Sequence, residues 1–247
     1  MDPLPLAGIR VVEFSHMVMG PTCGLVLADL GAEVIKVEPP GKGDRTRYLV
    51  ASGTGFFPAF SRNKKSVTID TDDAADLELL RQLIDTADVV VENFRPGGLA
   101  AKGLGYEALS ARNPRLIYCS LKGYLPGPYE NRTALDEVVQ MQSGLAYMTG
   151  PPGRPLRAGA PVNDMMGGMF GDMVLGLMLT ILPIPAGMGV KFAALLLGVL
   201  VLAMGFFVLG FDRAERRRIR AFLWVGLVMS YATLMRLMGR SAGGAMT

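Results

Sequence analysis

The sequence predicts an α/β fold: a Rossmann-like, doubly wound, largely parallel sheet followed by a hydrophobic helical tail. Three observations predict it. From residue 8 onward, short β-branched runs alternate with helix-patterned stretches. That rhythm belongs to right-handed crossovers between parallel strands. The first strand candidate, IRVVEF, is of the buried type, as strands covered on both faces are. Finally, the composition changes abruptly after about residue 182.

The elements follow in order. Residues 9–14 (IRVVEF) read as a buried strand, and the next helix starts at Gly20-Pro21 and stops at Gly31. Residues 33–38 (EVIKVE) and 66–70 (SVTID) are the next two strands, and 72–87 is an amphipathic helix. Residues 88–94 (DVVVENF), a helical YEALSAR and 115–121 (RLIYCSL) continue the alternation. Residues 1–182 form the α/β part and 183–247 the tail. Within the tail, 192–211 are twenty uncharged, mostly apolar residues, long enough to span a bilayer core. The run 221–235 is marginal for a second span. Between them lie five arginines in 213–220, which prefer the cytoplasmic side.

Composition excludes several functions. Residues 171–247 carry eight Lys/Arg against three acids, so the front part, near −2, gives no reason to expect nucleic acid. Two cysteines, Cys23 and Cys119, make no disulfide framework and fit a reducing cytoplasm. His16 is the single histidine and cannot anchor zinc alone. No basic, then apolar, leader opens the chain. The front domain is therefore expected in the cytoplasm, with 192–211 able to hold it at a membrane.

In doubly wound sheets ligands bind beyond the carboxyl ends of the strands. The loops to inspect are SHMVMGP, PPGKGDRTR, NFRPGG and KGYLPGP. None carries G-x-G-x-x-G or a P-loop, which argues against a nicotinamide enzyme or an NTPase. Two features stay ambiguous on the residues alone. In GAPVNDMMGGMF, Asp164 precedes an apolar run, where an aspartate is commonly an N-cap. In RNKKS, Arg62, Lys64 and Lys65 read first as a solvated turn before a strand.

Taken together, PLAGIRVVEFSHMVMGP, LADLGAEVIKVEPPGKGD, FSRNKKSV, ADVVVENFRPGGLAAKGLGYEAL, NPRLIYCSLKGYLPGPY and NDMMGGMFG resemble the family III CoA-transferases, the CaiB–BaiF group. The resemblance runs from about residue 5 to 175, or on to 182, with the motifs in the family's order. It implies transfer of CoA between an acyl-CoA thioester and a carboxylic acid through an aspartyl-acyl anhydride, with Asp164 as the nucleophile. It implies no tightly bound cofactor, coenzyme A entering as substrate. The small Gly167 and Gly168 would leave room for the thioester. For CoA it implies contacts from Arg62, Lys64, Lys65, Asn93, Phe94 and His16, with Lys122 and Lys42 weaker candidates.

Departures from the family sharpen the expectation. Val18 stands where formyl-CoA transferase has glutamine, which argues against formate and oxalate. The racemase branch needs a histidine where Leu135 stands, so transferase is favoured over racemase. Family members are considerably longer, and residues 192–247 do not resemble them. The interlocked homodimer of the family is therefore not expected. The alternative reading is a catalytically silent CoA-binding or membrane-attached interaction module.

Overall fold

The computed structural model describes residues 4–124 and 126–181. The tail expected at 183–247, including the span at 192–211, lies outside the described residues. Among the described residues no helix is long and apolar enough to cross a membrane.

Five strands build one parallel sheet in the order β3-β2-β1-β4-β5: β1 (Arg10–Phe14), β2 (Glu33–Glu38), β3 (Lys65–Thr68), β4 (Val89–Glu92) and β5 (Ile117–Ser120). Val12 lies opposite Ile35 on one side and Val90 on the other. The chain steps outward from β1 to β3, then returns past β1 to β4. Loops leaving β1 and β4 therefore diverge, and a crevice opens between them at the strands' carboxyl ends.

Helices cover both faces. On one, α1 (Met19–Asp29) and α7 (Val162–Ile181) bring Cys23, Leu27, Leu175 and Leu179 onto Val11, Val89, Val91 and Ile117. On the other, α3 (Ala74–Asp85) and α4 (Tyr106–Arg112) bring Leu80, Ile84 and Leu109 onto Val12, Phe14 and Val90. Successive strand residues feed opposite cores, so β1 and β4 are buried at nearly every position, Glu13 and Glu92 included. Pro21 sits in the first turn of α1, where its missing N–H costs nothing, and Gly31 after the helix takes φ +102. Asp73 caps α3, accepting from the N–H groups of Ala75 and Asp76 at 2.9 Å.

The expected α/β class is the observed one. Strand ends differ by a residue or two, because residues 69–70 and 93–94 have already left the ladder for the loops. Three short helices went unplaced in the sequence: α2 (Phe56–Phe60), α5 (Asp136–Gln142) and α6 (Leu145–Thr149).

Candidate functional site

The loops after β1 and β4 are stapled together across the crevice. The His16 N–H donates to Asn93 Oδ1 at 3.0 Å, and Asn93 Nδ2 donates back to the His16 carbonyl at 2.9 Å. The His16 ring stacks on Phe94, centroids 5.3 Å apart and planes 26° off parallel. Met17 takes a left-handed φ of 63°, and its N–H is satisfied by Thr46 Oγ1 at 2.9 Å. Gly20 makes the approach feasible, since a Cβ there would lie 2.5 Å from Ser15 Cβ and 3.0 Å from Asn93 Cγ. Burial lowers the His16 pKa, so the ring is neutral at pH 7.

Lys122, in the loop after β5, holds the Phe94 loop from below. Its Nζ lies 2.6 Å from both carboxylate oxygens of buried Glu92 and donates to the Phe94 carbonyl at 2.5 Å. Glu92 also accepts from the Phe94 N–H at 2.9 Å and from the Ser120 hydroxyl. The ammonium is thus committed to Glu92, although the side chain borders the cleft.

These loops and the start of α7 enclose a cleft of about 850 Å³ lined by His16, Val18, Asn93, Phe94, Lys122 and Asp164, among others. Asp164 is the third residue of α7, and the helix's first bond runs from the Met165 N–H to the Pro161 carbonyl at 3.0 Å. It is therefore inside the helix and not its N-cap, which corrects the commoner reading of that position. Its half-buried carboxylate makes no hydrogen bond or ion pair among the described residues. Burial, and then the charges of Asp136 and Glu137, push its pKa up to about 6. Gly168 serves packing: a Cβ there would meet the Met19 carbonyl at 2.5 Å and Thr22 Cβ at 2.7 Å. Its smallness lets α7 lie on α1, and a Cβ on Gly167 would likewise meet the Met19 side chain at 3.1 Å. Gly168 thus supplies packing and not room for a thioester.

The cations of RNKKS are not brought to this cleft. Lys64 is buried, its side chain 1% exposed, and it donates to Glu13 at 2.7 Å and to the Pro21 carbonyl at 2.8 Å. A ligand phosphate cannot reach it, because it neutralises Glu13, fully buried on the central strand β1. Burial lowers its pKa, against the pull of Glu13. Arg62 and Lys65 are exposed and pair with Asp29 at 2.7 Å and Glu33 at 2.5 Å. Among the described residues no group of three or more His, Cys, Asp or Glu side chains could hold a metal ion.

Three features of the cleft went unread in the sequence. Asp136, buried at the start of α5, accepts from the Asp164 N–H at 3.0 Å. Arg132 and Arg157 line the cleft without an ion-pair partner among the described residues. The first had a signal: an Asp at a helix start with Gln four residues on, Asp136 and Gln140, places two polar groups on one helix face. The arginines lie in irregular loops, where no periodicity points anywhere.

What the arrangement can do is bounded by its parts. A carboxylate with free lone pairs, desolvated at a helix start, faces an aromatic and amide wall at a sheet's switch point. That suits nucleophilic attack on a bound electrophile. The family model for CoA-transferase family III matches residues 6–189. The chain is 44% identical over 178 residues to a succinate–glutarate CoA-transferase of Agrobacterium fabrum, covering 67% of this chain and 44% of that protein. It is 44% identical over 164 residues to a formyl-CoA:oxalate CoA-transferase of Rhodopseudomonas palustris, covering 64% and 39%. Among solved structures, a CaiB/BaiF family protein from Brucella suis superposes with a TM-score of 0.68 at 39% identity, covering 73% of this chain and 50% of that one. The chain thus spans half or less of the length of these relatives.

Proposed function

The chain belongs to CoA-transferase family III, and from that premise we propose that it moves CoA between an acyl-CoA thioester and a carboxylic acid through an acyl anhydride on Asp164. The observation that carries this reading is the Asp164 carboxylate itself, partly desolvated and uncommitted in the cleft. Asp164 attacks the thioester carbonyl, the C–S bond breaks, and the electron pair leaves with CoA as thiolate. The thiolate then attacks the aspartyl carbonyl of the anhydride, releasing the donor acid and leaving CoA on Asp164 as a thioester. Attack by the acceptor carboxylate frees the thiolate again, which collects the acceptor's acyl group and restores Asp164. Each step is a displacement at a carbonyl by a held nucleophile, so no metal or redox group is required.

The wall of His16, Asn93 and Phe94 suits the pantetheine arm: an amide staple and a flat aromatic stack beside the nucleophile. The nucleotide end of CoA carries phosphates and needs positive charge. Arg62 and Lys65 are the exposed cations assigned to it, and each would exchange its present acid for a phosphate oxygen. Lys122 acts through Glu92, holding Phe94 in place. Arg132 and Arg157 favour an acid with a second carboxylate, in keeping with the succinate–glutarate name of one relative. Residues 1–182 carry this site, and the front domain acts in the cytoplasm, held at a membrane by 192–211.

The experiment is exchange between an acyl-CoA and an isotopically labelled dicarboxylate, run on the full chain beside a CoA-binding titration. Label appearing in the CoA thioester supports a transferase. CoA binding without exchange favours the second reading, a silent CoA-binding module, which the short coverage of the relatives motivates.

A further inference from the structure

Asp164 stands on the first turn of α7, and that turn lacks a conventional cap. The residue at the N-cap position is Pro161, whose carbonyl receives the first helical bond from Met165. Proline has no side-chain acceptor, so the N–H groups of the first turn need a partner from elsewhere. Asp136 supplies it from α5: its Oδ1 accepts from the Asp164 N–H at 3.0 Å. Its other oxygen, Oδ2, accepts from Gln140 Nε2 one turn further along α5. Gln140, fully buried, then ties the incoming chain down: its Nε2 donates to the Ala160 carbonyl at 3.2 Å and its Oε1 accepts from the Ala158 N–H at 2.7 Å.

We propose that Asp136 is a positioning residue for Asp164, fixing through its two carboxylate oxygens both the first turn of α7 and the segment 158–161 that leads into it. The proposal rests on the reading of Asp164 as nucleophile, since only then does the placing of this backbone matter to chemistry. A carboxylate is the group the geometry requires. An asparagine would put an NH2 donor where one carboxylate oxygen now accepts, facing either the Asp164 N–H or the Gln140 amide donor. A negative charge at a helix start is also favoured by the helix dipole. The same charge stands next to the Asp164 carboxyl and opposes its ionisation, so Asp136 joins a fixed position to a raised proton affinity. The other charged or titratable groups around the cleft are Glu137 on α5, the neutral His16 after β1, Lys122 after β5, and Glu130, Arg132 and Arg157 from the loops. Glu137 alone among them also raises the Asp164 pKa.

The test uses the full chain and needs no substrate. Carboxyl-carbon NMR follows the titration of Asp164, identified by its loss in D164N, in wild type, D136N and E137Q. Amide exchange of residue 164 is read alongside, in these and in D136A. The expected result is that D136N moves the Asp164 midpoint to lower pH by about one unit, the size of a close like-charge effect, and E137Q moves it less. Exchange at residue 164 should rise at least about tenfold in D136A, as an orphaned first-turn N–H requires. An unmoved midpoint in D136N, or wild-type exchange in D136A, overturns the proposal. Should D136N and D136A not fold, wild type decides it: the Asp164 N–H, held by Asp136, should exchange at least about tenfold more slowly than the neighbouring Asn163 N–H, which has no hydrogen-bond partner among the described residues, and equal exchange refutes the cap. Failure of the nucleophile reading shows elsewhere, as acylation that persists in D164N.

Discussion

Asp172 gives the sharpest energetic test of the fold around the site. It lies on α7 eight residues past Asp164, 9% exposed, and its Oδ1 has no hydrogen-bond partner among the described residues. Burial alone pushes its pKa up to about 7 from an ordinary value of 3.8. The folded pKa is raised, so the protonated form favours folding. Its stabilisation is complete below the unfolded pKa near 3.8, is lost as pH rises through about 7, and is flat above. At 1.36 kcal/mol per pH unit, this gap corresponds to about 4 kcal/mol between pH 4 and pH 8. Asparagine has nearly the same shape and no titration in that range. Urea unfolding of the full chain and of D172N, followed by circular dichroism, should therefore give a stability difference that changes by about 3–4 kcal/mol between the two pH values, with D172N gaining relative to wild type as pH rises. A difference independent of pH would show that Asp172 is solvated or paired in solution, and the packing of α7 described above would be wrong at that point.

Three further outcomes follow from the site. Asp164 must be ionised to attack, so with its pKa near 6 acylation should fall about tenfold for each pH unit below that, whereas an ordinary aspartate would hold its rate to near pH 4; single-turnover acylation from pH 4.5 to 8 distinguishes them. Gly168→Ala should destabilise the domain by about 1–3 kcal/mol, because the new methyl meets the Met19 carbonyl at 2.5 Å and α7 must shift off α1; urea unfolding at pH 7 measures it. Replacing both Arg132 and Arg157 by methionine should raise KM for a dicarboxylate by about tenfold or more with little change for a monocarboxylate, consistent with loss of a charge-assisted hydrogen bond.

The sheet was legible because its central strands, β1 and β4, are buried on both faces and its β-branched runs stand apart from the helix-patterned stretches between them. The loops lining the crevice were legible for the same reason, since they follow those strands. His16, Asn93, Phe94, Lys122 and Asp164 do converge on one cleft. Lys64 was misplaced because a lysine in a charge run reads as solvent-facing. Only the tertiary fold reveals Glu13, 51 residues earlier in the chain, as a fully buried acid that needs a cation. Gly168 was misassigned on similar grounds: a glycine's smallness is visible in a sequence, but the neighbour requiring it, here α1, is not. Asp136 escaped because its α5 is only seven residues long: the spacing to Gln140 marks a polar helix face, but the backbone N–H of Asp164 that it also holds leaves no trace in residue types.

The central claim is that Asp164 becomes acylated, and trapping the anhydride tests it most directly. The full chain is incubated with an acyl-CoA and hydroxylamine, digested, and its peptides are weighed. The expected product is an aspartyl hydroxamate on the peptide bearing Asp164, formed only with acyl-CoA present and lost in D164N. An equal yield of hydroxamate in D164N, or a hydroxamate on another carboxylate, would contradict it.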